Sequence, residues 1–361
     1  MPGMSYAQHW FDGRTASVLG TGAALPGAPV MTEDILSRLY LRFGVDVRRQ
    51  GRSIAARLGV NTRHISRDLA ARHEAPRSGD SNAELAARAA RAAMEDAGIH
   101  TRELRYLITH TATPGTLVPP NAARVADLLD YKGPFVELRQ ACTGFANALV
   151  FALGLLSSPG CGPVVIVGSE TGSTYFDPVR AGEDSGQLVN ALQMGDGAGA
   201  CVLGVPEKGR ASHLSGTFFG YAGAQLNPGF ILSGGGSDAA HTPGKALEFQ
   251  HDYSTIREQG GQLFAAGLSA VRQAGIDLDE VDHFIPHQAN GRMAELLSSE
   301  LGLEAHRIFV NAARLGNTGS AATWLAFHEL RPRLMSGERV CVLGAEATKY
   351  MFGGFLYVHA R

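Results

Sequence analysis

"AAMEDAGIHTRELRYLITHTAT" (residues 92–113) and "AVRQAGIDLDEVDHFIPHQAN" (residues 270–290) share one plan. Each reads as the end of a helix, the turn Ala-Gly-Ile, an acidic stretch, a short apolar strand and a histidine. Gly98 precedes His110 by twelve residues, and Gly275 precedes His287 by twelve. Two further blocks repeat in the same order. "ACTGFANA" (141–148) resembles "GNTGSAAT" (316–323), with Cys142 opposite Asn317, and "GPVVIVGSET" (162–171) resembles "ERVCVLGAEAT" (338–348). Three matches in order, with spacings that agree within two residues, indicate a duplicated chain. The expected halves are residues 1–206 and 207–361, with the seam in the polar turn "VPEKGR".

Within each half, apolar strands alternate with amphipathic helices. "AELAARAARAAMEDAG" has helical composition, whereas "LRYLIT", "PVVIVG", "VDHFIP" and "RVCVLG" are short β-rich runs bounded by turn residues. The fold class expected is α/β, with both sheet faces covered. "FANALVFALGLL" is apolar almost all round, which predicts a central, buried helix.

The bulk properties narrow the function. The 361 residues are 45% hydrophobic and 18% charged, an ordinary balance for a soluble protein of more than one core. A formal net charge of −2 argues against nucleic acid as the main partner. No C-x-x-C pair occurs, so no metal site is expected. Cys161, Cys201 and Cys341 lie in apolar runs and read as buried reduced thiols. The N-terminal residues lack the pattern of a signal peptide, and no apolar run reaches about 18 residues, so the expectation is no membrane and a cytoplasmic location.

Cys142 is different. It follows strand-like "FVEL" and opens the central helix, where unpaired N–H groups and the positive end of the helix dipole favour a thiolate. Its own N–H would face an oxyanion formed on a carbonyl joined to the sulfur. If the halves pack about a pseudo-dyad, the loop carrying Cys142 meets the loop carrying Asn317, and His287 ends a neighbouring strand. A nucleophile, a base or donor, and a second donor then converge.

These residues resemble the thiolase-fold condensing enzymes, specifically beta-ketoacyl-acyl-carrier-protein synthase III. The resemblance rests on "ACTGF" around Cys142, "PHQANGR" (286–292), "GNTGSAA" (316–322), "GDGAGA" (195–200), "LGTGAALP" (19–26) and "LGVNTRHI" (58–65). It implies a thiolase-like five-layered αβαβα fold of two pseudo-symmetric duplicated halves. It also implies a homodimer and a catalytic triad of Cys142, His287 and Asn317. The implied reaction loads an acyl thioester on Cys142, then condenses it with a malonyl (or β-keto) thioester after loss of CO2. The implied partners are acyl carrier protein or coenzyme A thioesters, with no cofactor.

Departures from the family pattern carry their own expectations. The glycine-rich turn that supplies the second oxyanion N–H reads "AEATKYMFGG" here, which places Thr348 beside Cys142 as the backbone donor. Val118 stands where the family often has a Phe that reaches across the dimer, which suggests room for medium or long acyl chains. Ser53 replaces an adenine-stacking Trp. Asn290 and Arg292 are expected to bind substrate, Arg292 at the pantetheine mouth. "AGEDSGQLVNALQ" is longer than in short family members. Arg48, Arg49, Arg52, Arg57, Arg63 and Arg67 lie between residues 47 and 67 with no acid among them, and read as a docking patch for an acidic carrier protein or as a solvated basic face. The competing functions are acyl transfer from Cys142 to an O or N nucleophile, a ring- or pyrone-forming condensation of two acyl chains, and a catalytically silent partner subunit.

Overall fold

The computed structural model describes residues 9–67, 79–206, 212–234, 236–237 and 247–360. Its strands are β1 (His9–Asp12), β2 (Ala16–Ala24), β3 (Val30–Met31), β4 (Thr62–Arg63), β5 (Tyr106–His110), β6 (Phe135–Leu138), β7 (Val164–Glu170), β8 (Gly197–Gly204), β9 (His213–Tyr221), β10 (Phe230–Ser233), β11 (Glu248–His251), β12 (His283–Pro286), β13 (Arg339–Glu346) and β14 (Met351–Val358). The helices are α1 (Thr32–Phe43), α2 (Arg48–Leu58), α3 (Asn82–Asp96), α4 (Asn121–Leu128), α5 (Gly144–Leu156), α6 (Arg180–Glu183), α7 (Ser185–Gln193), α8 (Tyr253–Gln273), α9 (Met293–Leu301), α10 (Ala312–Leu315) and α11 (Ala322–Leu330).

The main sheet runs β12-β13-β14-β9-β2-β8-β7-β5-β6. Read outward from the short β9–β2 contact, one side is β2-β8-β7-β5-β6 and the other is β9-β14-β13-β12. Pair orientations match step for step. β8 is antiparallel to β2 and β7, and β14 is antiparallel to β9 and β13. β5 runs parallel to β7, and β12 parallel to β13. A parallel bridge from Phe284 to Ile308 stands where β6 stands in the first half. The expected seam sits beside β9, but residues 207–211 lie outside the described residues.

Period-2 alternation sorts the strand residues into layers. Val164 and Ile166 of β7 join Val340 and Val342 of β13, with α5 and α11, in one central core. Val165 and Val167 turn the other way, against α3. Cys341 and Leu343 turn toward α8. The order is therefore α3, sheet, α5 with α11, sheet, α8: five layers. Phe145 of α5 meets Trp324 of α11 edge-on at 6.1 Å and Phe355 of β14 at 6.0 Å, which ties the middle layer to the second sheet.

Local chemistry sets the ends of the outer helices. Ser81 caps α3 by accepting the Glu84 N–H, and the Glu84 side chain accepts the Ser81 N–H in return. The chain leaves α3 and α8 through Gly98 and Gly275, whose positive φ of 66° and 80° opens each Ala-Gly-Ile turn. One sequence expectation needs correcting here. Cys161 is half-buried in the loop before β7, not within a strand, whereas Cys201 and Cys341 are buried strand thiols whose pKa burial raises to about 12. None of the helices among the described residues is long and apolar enough to cross a membrane.

Candidate active site

Cys142 occupies the turn between β6 and α5, just before Thr143 at the helix N-cap position. The Thr143 side chain does not cap α5. Its hydroxyl and N–H both donate to Glu346 Oε2, at 2.7 and 2.8 Å. This alters the expected electrostatics. Burial raises the Cys142 pKa well above the ordinary thiol range, and the nearby carboxylates of Glu346 and Glu170 raise it further, while the backbone N–H of Cys142 pulls it down only weakly. These surroundings favour the thiol over the thiolate expected from the helix N-terminus alone.

His287 follows β12. Its N–H donates to the Leu343 carbonyl (2.7 Å), continuing the parallel ladder one residue past the strand. The ring is buried, and Nδ1 has no hydrogen-bond partner among the described residues. Desolvation lowers its pKa to about 4, so the imidazole is neutral near pH 7.

Asn317 lies between α10 and the short 3-10 turn Gly319–Ala321. Its N–H donates to the Gln193 carbonyl (2.8 Å), and its carbonyl accepts the Gly195 N–H (3.0 Å). Oδ1 accepts the Gly319 N–H at 3.0 Å. With the oxygen engaged, the carboxamide keeps its NH2 donor for another partner.

A closed circuit of hydrogen bonds links the three loops. Thr143, next to Cys142, donates to Glu346 at the end of β13. Leu343 of the same strand holds His287. Two residues past His287, the Ala289 carbonyl accepts from Gln193 Nε2 (2.7 Å), and the Gln193 carbonyl holds Asn317. Three residues past Asn317, the Ser320 hydroxyl donates to the Gln140 carbonyl (3.3 Å), two residues before Cys142. The structure thus brings the loops of Cys142, His287 and Asn317 into one ring of contacts.

The other expected residues divide. Thr348 sits in the turn after β13, and its hydroxyl donates to Glu346 Oε1, which joins that turn to the Cys142 loop. Asn290 is half-buried, and its Oδ1 accepts the Arg292 N–H (2.9 Å). Arg292 reaches the Ala56 carbonyl near the end of α2 at 3.0 Å and pairs with Glu295 at 2.8 Å. Val118 is not in the circuit; it is 86% exposed on the loop before α4.

The basic run needs correction. Arg63 is fully buried and donates to Thr32 Oγ1 (2.9 Å) and the Leu192 carbonyl, while Arg67 donates to the Phe176 carbonyl. Arg48 pairs with Asp46 and Arg52 with Glu33, both at 2.8 Å. Arg49 and Arg57 remain on an open depression of about 460 Å³ with Ser53, Gln50, Val47 and Asp46. The patch is therefore far less positive than its sequence.

Sequence reasoning missed Glu170, Glu346, Gln193, Ser320 and Trp324. The two glutamates were visible as matched letters in "GSET" and "GAEAT". Gln193 ends the long stretch 181–193, which folds into the end of α6 and α7 and delivers its carbonyl to Asn317.

Comparison with known proteins shows the family. Residues 136–220 match the family 3-Oxoacyl-[acyl-carrier-protein (ACP)] synthase III, and residues 271–355 match its C-terminal domain. The chain is 31% identical over 354 residues to beta-ketoacyl-[acyl-carrier-protein] synthase III of Desulfitobacterium hafniense, covering 95% of each. It is 32% identical over 321 residues to a 3-oxopimeloyl-[acyl-carrier-protein] synthase of Rhodothermus marinus, covering 87% of this chain and 85% of that one. Among solved structures, a tetronic acid condensing enzyme superposes with a TM-score of 0.83 at 27% identity, covering 95% of this chain and 100% of that one. With the thiolase-like layers described above, the chain belongs to the beta-ketoacyl-[acyl-carrier-protein] synthase III family of condensing acyltransferases.

Proposed function

We propose that this enzyme performs a decarboxylative Claisen condensation through Cys142, His287 and Asn317. The observation that carries the reading is the hydrogen-bond circuit joining the three loops. In the first half-reaction the Cys142 sulfur attacks an acyl thioester, and its proton passes through neutral His287 to the departing thiol. The backbone N–H groups of Cys142 and Thr348 hold the tetrahedral oxyanion. In the second, a malonyl thioester loses CO2, and the electron pair moves onto the thioester oxygen as an enolate. His287 and the Asn317 NH2 donate to that oxygen. The enolate carbon attacks the acyl carbonyl, the carbon–sulfur bond to Cys142 breaks, and a β-keto thioester leaves. Asn290 and Arg292 are assigned to the substrate entrance, and the chemistry calls for no cofactor.

The acyl donor is a thioester of acyl carrier protein or coenzyme A, as the family's name supports for the carrier. Val118 in place of a larger side chain supports a medium or long acyl chain. Leu117, Val118, Phe135 on the edge strand β6 and Phe151 on α5 are exposed in a single chain, which supports a homodimer. A cytoplasmic location goes with these substrates. A ring-forming condensation with a β-keto thioester is the second reading, favoured by the likeness to the tetronic acid condensing enzyme.

Mass spectrometry tests the reading. Acyl donors of graded length are expected to leave an acyl mass on Cys142 that malonyl carrier protein discharges with release of CO2. Discharge only by an alcohol or amine indicates acyl transfer instead, and no adduct with any donor indicates a silent subunit.

A further inference from the structure

Glu170 and Glu346 end the matched strands β7 and β13 and stand at matched positions of the repeated blocks. Each reaches into the opposite half. Glu346 Oε2, from the second half, accepts the N–H and hydroxyl of Thr143, next to Cys142. Glu170 Oε2, from the first half, accepts the N–H (3.0 Å) and hydroxyl (2.7 Å) of Ser320, three residues past Asn317. Its other oxygen stays at home, accepting the Ala112 N–H (3.2 Å) and the hydroxyls of Thr111 and Thr113. Both carboxylates are buried.

The crossing extends to the backbone two residues earlier on each strand. A Cβ at Gly168 would lie 2.1 Å from the Ser320 carbonyl oxygen, and one at Gly344 would lie 2.6 Å from the Phe145 ring. Phe145 and Ser320 are themselves matched positions. Each strand end therefore presses on the loop of the other half twice, once through a glycine and once through a glutamate.

We propose that Glu346 and Glu170 are a reciprocal pair of positioning residues, Glu346 setting the Cys142 loop and Glu170 setting the Asn317 loop across the two halves. Assigning a reaction step to each loop rests on the condensation reading; the clasp itself does not. Buried and hydrogen-bonded to backbone N–H groups, each glutamate fixes its loop more tightly than a surface contact does. Glu346 also binds the Thr348 hydroxyl, so one carboxylate aligns both backbone donors assigned to the oxyanion.

The test measures the two half-reactions separately. E346A is expected to lose acyl loading of Cys142 on the order of 100-fold, with a smaller loss of malonyl decarboxylation by preloaded enzyme. E170A is expected to show the reverse order of losses. E346Q and E170Q, which keep an oxygen for the backbone N–H, are expected to recover most of each loss. Equal losses of both steps in both alanine variants, or glutamine variants no better than alanine, overturn the proposal. A substrate-free measurement separates this from the condensation reading. Exchange of the Thr143 amide hydrogen in E346A, and of the Ser320 amide hydrogen in E170A, is expected to quicken about tenfold or more over the unmodified enzyme, because each loses its buried carboxylate acceptor. Unchanged exchange overturns the clasp even if no acyl donor loads Cys142, and E346D and E170D, whose shorter side chains fall short of those N–H groups, serve where an alanine variant fails to fold.

Discussion

His110 and His287 end matched strands of the two halves, yet they live in different surroundings. His110 is fully buried, and its Nε2 accepts the Trp324 indole N–H at 3.0 Å. An indole N–H can only donate, so the His110 proton is assigned to Nδ1. Nδ1 itself has no hydrogen-bond partner among the described residues, and burial lowers the ring's pKa to about 3. His287 retains 7% exposure, and its ring accepts no indole N–H among the described residues. His110 packs under the start of α5, where a Cβ on Gly144 would lie 2.6 Å from its Nδ1, whereas His287 keeps a partly open edge. Matched positions carry the same residue, and the side chain opposite gives each a different environment.

The largest test of this contrast removes each ring. H287A is expected to lose condensation activity by roughly 10²–10³-fold with little change in melting temperature, the usual cost of one oxyanion-type donor. H110A is expected to lose stability first, because it opens a cavity in the central layer. Equal activity losses per folded molecule would erase the distinction.

An acid titration is the next largest. Burial holds His110 near 3 and His251 and His287 near 4, below their ordinary value of 6.5. Between pH about 6.5 and 4 the unfolded chain binds protons that the folded chain refuses, so stability falls as pH falls through that window. Thermal melts across the window check this, and a flat melting temperature contradicts it. The same neutrality predicts that activity shows no His287 ionisation between pH 6 and 7.

The smallest effect concerns the Trp324 contact itself. W324F leaves the His110 nitrogen without its donor, at an expected cost of about 1–3 kcal/mol by urea unfolding, with His287 chemistry retained. A neutral W324F shows that the indole contact does not matter.

Most of the layer plan was legible because hydrophobic period and turn chemistry are local, and the duplication printed them twice. The Cys142, His287 and Asn317 loops were legible for the same reason. The charge environment was not. Arg48 and Arg52 looked free because Asp46 lies one residue outside the counted run and Glu33 lies on α1. The helix dipole argument for Cys142 missed its burial first, and then Glu346, more than 200 residues away in the chain, whose carboxylate also takes the Thr143 N–H. The role of Trp324 was invisible because only the fold brings α11 over His110. Long-range carboxylates and indoles act across the two halves, and no spacing rule announces them.

A crystal structure of the enzyme acylated on Cys142 tests the central claim most directly. The account predicts the acyl carbonyl oxygen within about 3 Å of the Cys142 and Thr348 N–H groups, with the His287 ring and the Asn317 NH2 facing the same cavity. An acyl group pointing away from both, with packed protein between the sulfur and the imidazole, would contradict it.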